Sequence, residues 1–205
     1  MKKLILYILL TFPFFANGQV DTVIDCGFYK SYFNYKFSQP LYVSYKLYKG
    51  GGDCSRDKFR FKNDTQIKMA SPSDYEKSGF EMGHLANSED FAYDCPMDEK
   101  TFRMYNCLPQ YPNLNRGSWK KWETRIRKLS QTDSLLIICG GTFSDRKIKE
   151  NSKISVPDYC WKLVKSLTTK EILYVLWFTN EKKSNESQIS LELLKKNCNY
   201  TIDIK

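Results

Sequence analysis

Histidine is nearly absent from this chain of 205 residues, with His84 as its single copy. That scarcity excludes a histidine-rich metal centre. None of the seven cysteines forms a C-x-x-C pair, so a structural zinc site of the usual Cys/His kind is excluded as well. No apolar run reaches the roughly 20 residues a spanning helix needs. There is no long lysine tract, no internal repeat and no low-complexity linker that would mark a basic tail or a string of modules.

What is present begins with Lys2 and Lys3, the apolar run from Leu4 to Phe15 and the small-residue close Ala16-Asn17-Gly18. This is the pattern of a secretory signal peptide over residues 1–18, cut before Gln19, and it places the mature protein outside the cell or in the periplasm with no stable membrane association. Residues 19–205 then suffice for one domain. Setting aside the two leader lysines leaves 30 basic residues against 23 acidic ones, a formal +7 that favours a polyanionic partner. Export would expose all seven cysteines to an oxidising compartment, where up to three bridges could form. Cys26 with Cys54 and Cys160 with Cys198 are the expected pairs. The odd count leaves a free thiol, for which Cys139 in the apolar stretch after Leu135 is the candidate.

Residues 41–49 are rich in aromatic and β-branched types and read as a strand ended by Gly50-Gly51-Gly52. Residues 54–78 lack periodicity and read as irregular, ahead of a short extended stretch at Phe80. Residues 98–105 read as helical. From Asn115 onward Trp119, Trp122, Ile126 and Leu129 recur at three- and four-residue steps, which predicts an amphipathic helix whose tryptophans pack inward rather than serve as base-stacking platforms. Its other face carries Lys120, Lys121, Arg125, Arg127 and Lys128. Leu135–Cys139, Tyr159–Val164 and Ile172–Phe178 read as strands and Ser190–Lys196 as a short helix, so the class is α+β with a mainly antiparallel central sheet flanked by helices.

Three blocks carry chemistry: Glu81-Met82-Gly83-His84-Leu85-Ala86, then Asn106-Cys107-Leu108-Pro109-Gln110, then Leu114-Asn115-Arg116-Gly117-Ser118-Trp119 followed by Trp122-Glu123. A histidine suits water activation because its unperturbed pKa near 6.5 leaves it free to accept a proton at neutral pH. Asn115 by itself is more often a helix N-cap than a metal ligand. Together, in this order and spacing, the blocks resemble the DNA/RNA non-specific endonuclease family of the ββα-metal, or His-Me finger, superfamily. Weaker similarity at Asp74-Tyr75, Val156-Pro157 and Trp161-Lys162 extends the likeness along the chain.

The resemblance implies a ββα-metal catalytic motif and hydrolysis of phosphodiester bonds in DNA and RNA. His84 would be the general base, Asn115 the ligand of a hydrated Mg²⁺ (Mn²⁺ or another divalent cation being the alternative), Glu123 a holder of metal-bound water and Asn106 an arranging residue. Glu123 stands eight residues after Asn115, which on a regular helix returns it to nearly the same face. The family's F-x-x-D segment matches Phe61-Lys62-Asn63-Asp64, making Arg56 or Arg60 its phosphate-gripping arginine, with Arg56 preferred. The chain departs from the pattern two residues before His84, where Met82 replaces an arginine, and at Glu81, which replaces an aspartate. Lys77, Arg116 or Lys120 could supply the missing charge; otherwise the protein binds nucleic acid with weak or no cleavage.

Overall fold

The computed structural model describes residues 19–204, so the expected signal peptide at 1–18 lies outside the described residues. Seven antiparallel strands form the main sheet in the order β1 (Thr22–Asp25), β2 (Tyr29–Asn34), β3 (Gln39–Leu47), β6 (Leu135–Lys147), β7 (Ser155–Ser166), β8 (Ile172–Thr179) and β9 (Glu186–Gln188). The fold is α+β, as the strand and helix patterns predict. The three expected strands after residue 135 and the one at 41–49 all lie within longer or slightly shifted ladders. β1 and β2 are additional to the expected strands; β2 alternates along its length, with Tyr29, Ser31 and Phe33 buried on one face and Lys30 exposed on the other.

Strand alternation divides the central side chains between two buried faces. Val43, Tyr45, Cys139, Lys162 and Phe178 lie toward one side. Tyr42 and Trp161 lie toward the other, where the chain end covers them: Trp161 donates to the Tyr200 hydroxyl (3.1 Å), which donates to the carbonyls of Leu41 and Gly141. Helix α4 (Leu191–Asn197), capped by Ser190, precedes that segment.

The first side carries a second, two-stranded sheet, β4 (Glu81–His84) against β5 (Cys107–Gln110), with α3 (Lys120–Leu129) after it. β4 and β5 approach closely at Gly83, where a Cβ would sit 2.1 Å from the Gln110 side chain. Trp119 and Trp122 are buried, as their helical spacing predicts: Trp119 meets Phe178 and its indole donates to the His84 carbonyl (3.1 Å), tying the helical segment to the end of β4. Residues 54–78 are largely irregular, with one short helix, α1 (Pro72–Tyr75).

Three expectations need correction. The helix expected over 98–105 runs Cys95–Thr101 (α2), started by Asp94, whose carboxylate accepts from the Met97 amide, and Phe102 leaves helical geometry before a short 3-10 turn at Met104–Asn106. The helix expected from Asn115 is discontinuous: Leu114–Trp119 forms a wide turn in which Gly117 is non-helical (φ −98°, ψ −111°), and the regular helix begins only at Lys120. The bridge found is Cys54–Cys95, with Cα atoms 5.5 Å apart, and the other five cysteines are free. Neither expected pair forms. Cys26 lies on the Tyr105 hydroxyl, while Cys160 and Cys198 are separately enclosed in the core; spacing along the chain carries no information about such tertiary neighbours. Cys139 is free and fully buried, as expected.

Candidate active site

His84 ends β4, paired in register with Cys107 of β5. Its ring is half-buried between Phe61 (centroids 4.6 Å apart) and Phe102 (4.7 Å), and Nε2 is enclosed without a hydrogen-bond partner. Burial first, and then the charges of Arg56 and Lys162, push its pKa down from 6.5 to about 3, so the imidazole is neutral at physiological pH.

Asn106 is fully buried and serves the strand that carries His84. Its Oδ1 accepts from the Ala86 amide (2.8 Å), while Nδ2 donates to the carbonyls of Ala86 and Thr101 (2.9 and 2.8 Å). One amide proton therefore holds the backbone two residues beyond His84 and the other holds the end of α2. The Leu85 amide donates to the Asn106 carbonyl (2.9 Å), and the clamp is complete.

Asn115 lies in the wide turn before α3 and donates from Nδ2 to Glu81 Oε2 (2.9 Å). Because a carboxylate only accepts, the amide's NH₂ must face Glu81, which leaves Oδ1 as its free acceptor. The other Glu81 oxygen is ion-paired with Arg116. These groups line an open groove of about 540 Å³ together with Phe61, Tyr75, Phe80 and Met82. Among the described residues no cluster of three or more His, Cys, Asp or Glu could cage a metal ion. A single amide oxygen beside a carboxylate suits a cation that keeps most of its water, such as Mg²⁺.

Glu123 does not reach Asn115 by regular helical turns, since the break at Gly117 separates them. It is buried in α3, and its Oε1 lies 3.7 Å from Lys162 Nζ. Lys162 is itself almost completely enclosed, with its ammonium 3.6 Å from the centre of the Trp119 ring. A second buried pair adjoins them, Asp90 with Arg127 (2.9 Å), braced by the Tyr45 hydroxyl on Asp90 and by Asn87 on Arg127. Burial raises the pKa of Glu123, Lys162 opposes the shift and Asp90 adds to it. Lys162, which motif reading singled out only as similarity, is the buried partner of Glu123, and a lysine in an apolar strand is its one signal in the sequence.

The structure also separates the two arginine candidates. Arg56 pairs with Glu89 (2.7 Å), contacts Ser88 and lies close enough to His84 to affect its charge. Arg60 instead donates to the carbonyls of Asp57 and Phe59 within its own loop. The loop is anchored by Cys54–Cys95, by Gly52 (φ +132°), where a Cβ would lie 2.2 Å from Ala92 backbone, and by Asp64, which accepts from Arg103 (2.6 Å) and Tyr105 (3.0 Å). Met82 packs against the apolar cluster of Tyr75, Met104, Cys107 and Val156, a setting that suits a thioether better than a guanidinium. Lys77 and Lys120 are exposed and neither lines the groove.

A histidine at the end of one strand, an asparagine clamp just ahead of the next and an asparagine in the following helical turn make this a site of the ββα class. The chain belongs to the DNA/RNA non-specific endonuclease family, which it matches over residues 12–201. It is 38% identical over 95 residues to a Nostoc sp. protein named nuclease, covering 46% of this chain and 34% of that one. It is 31% identical over 93 residues to human mitochondrial endonuclease G, covering 44% and 31% respectively. The chain spans about a third of the length of these curated relatives. Its fold is similar to that in a solved complex of EndoG with EndoGI, with a TM-score of 0.72 at 20% identity, over 86% of this chain and 83% of that one.

Proposed function

We propose that this protein is an exported, divalent-metal-dependent endonuclease that hydrolyses phosphodiester bonds of DNA and RNA with little preference for sugar or sequence. The observation that carries the reading is His84: a neutral imidazole at the end of the ββα unit, its Nε2 enclosed without a hydrogen-bond partner and its ring set between Phe61 and Phe102. Nε2 keeps its hydrogen. Nδ1 takes a proton from the attacking water as the new O–P bond forms and the P–O3′ bond breaks. The products are a 5′-phosphate and a 3′-hydroxyl, whose proton comes from solvent.

The residues present fit a hydrated cation. Asn115 Oδ1 would hold it, with the Glu81 carboxylate beside it, and Mg²⁺ or Mn²⁺ there would neutralise charge on the phosphate and the leaving oxygen. Glu81 fixes which way the Asn115 amide faces, Asn106 fixes the strand behind His84, and Arg56 grips phosphate once Glu89 yields it. Glu123 acts from behind, through its buried charge opposite Lys162, and not as a direct ligand. Contacts of this kind touch phosphate and carry no base information. The formal +7 of residues 19–205 and the exposed basic side chains of α3 support a polyanionic substrate. Export rests on residues 1–18, and the Cys54–Cys95 bridge is consistent with an oxidising compartment.

Incubating the mature protein with plasmid and with RNA, in Mg²⁺, Mn²⁺ or EDTA, tests the reading. Metal-dependent cleavage of both, abolished in His84→Ala, is expected. Inactivity of folded protein in every divalent metal, or full activity of His84→Ala, refutes it. The apolar setting of Met82 favours one alternative, a nuclease-fold protein that binds nucleic acid without cutting it; that reading requires salt-sensitive binding and no cleavage.

A further inference from the structure

The groove that holds Asn115 contains one cationic side chain, that of Arg116. Arginine side chains this exposed (77%) usually sample many rotamers, but this one is tethered: its Nη2 pairs with the Glu81 oxygen opposite the one that holds Asn115. One carboxylate on β4 therefore orients two consecutive helical-turn residues. The non-helical Gly117 immediately follows, and the side chains of both residues converge on the Glu81 carboxylate from the strand opposite. Glu81 engages part of the guanidinium, and a guanidinium has five N–H donors, so others remain for an anion in the groove.

From this geometry we infer that Arg116 is a catalytic residue of this site: its guanidinium contacts the scissile phosphate beside Asn115 and supplies the positive charge that Met82 cannot. Met82 lines the same groove from β4, so the charge enters the same space from the helical turn. This inference rests on the nuclease reading above for its substrate. Glu81 then orients the amide and the guanidinium together, and the geometry of the two is coupled.

The test uses the mature protein and a fluorescein-labelled DNA duplex. Binding is measured in EDTA across a salt series, where no cleavage occurs, and cleavage is measured separately in Mg²⁺. Arg116→Ala should lower the slope of log K against log salt by about 0.9, the loss of one phosphate contact, and reduce kcat/KM about 100-fold. Arg116→Lys should restore the salt slope but only part of the rate, because an ammonium cannot reproduce the planar donor pair. An unchanged slope with cleavage within threefold of wild type overturns the assignment. So does an unchanged slope with a raised metal requirement, which would make Arg116 a support for Glu81 and Asn115 only. Failure of wild type to cleave in any metal would refute the nuclease reading itself, while the metal-free salt slope would still report whether Arg116 touches phosphate.

Discussion

Replacing Lys162 with methionine removes one half of a buried ion pair and leaves the other half in place. Methionine keeps the apolar contact with the Trp119 ring, so packing loss is small. The Lys162 and Glu123 side chains are 1% and 8% exposed, so solvent screens neither. Stranding a buried carboxylate in this way costs about 3–5 kcal/mol, and the Asp90 carboxylate nearby adds repulsion. The cost must also depend on pH. Burial already holds the Glu123 pKa above its ordinary value, so between the unfolded and folded values the native state binds more protons than the unfolded chain, and stability falls as pH rises through that window. Without Lys162 the window extends upward. The gap between wild type and Lys162→Met should therefore be widest at pH 8 and shrink toward pH 5, where the native variant takes up a proton. Urea unfolding at both pH values measures it. A loss below about 1 kcal/mol at pH 8, or a gap independent of pH, refutes the charge-pair reasoning. The double variant Lys162→Met/Glu123→Gln should recover most of the loss, because a neutral pair leaves no stranded charge.

The low pKa of His84, about 3, predicts that the pH profile of kcat/KM carries no acid limb near 6.5 from this residue; a limb there that vanishes in His84→Ala would contradict its enclosure. The same depression should make the native state lose stability as pH falls from 6.5 toward 3, because the unfolded chain then binds the proton more readily. Cys54→Ser/Cys95→Ser opens a loop with a sequence separation of 41 and should cost about 4 kcal/mol by chain entropy; disulfide mapping by mass spectrometry should find this bridge and five free thiols. Asn106→Ala strands buried backbone groups of Ala86 and Thr101 and should cost about 1–3 kcal/mol for each group left unpaired, read by thermal unfolding. Gly52→Ala meets both a positive φ and Ala92 backbone and should lower stability and loosen the Arg56 loop together, seen as faster proteolysis at residues 54–62.

The chain itself carries the class of fold and the frame of the site. Runs rich in apolar, β-branched and aromatic residues specify strands 3, 6, 7 and 8, the Trp119-Trp122-Ile126 spacing specifies a buried helical face, and the motif order His84, Asn106, Asn115 is local sequence, legible because each block is contiguous. The disulfide, the discontinuity at Gly117 and the partners of Glu123 were not legible. Each depends on residues far apart along the chain. Cys54 meets Cys95 because Gly52 lets the loop press against Ala92. Glu123 turns inward to Lys162, 39 positions later on β7, whose ammonium lies 3.7 Å from its carboxylate. His84 is a base by its chemistry, which the sequence alone determines. The further drop of its pKa comes from burial and from the charges of Arg56 and Lys162, and only the tertiary structure brings those groups and the rings of Phe61 and Phe102 around it. The same division holds for the missing cation: its absence at position 82 is written in the sequence, but its replacement from position 116 depends on Glu81 lying opposite the turn, a proximity that no spacing along the chain encodes.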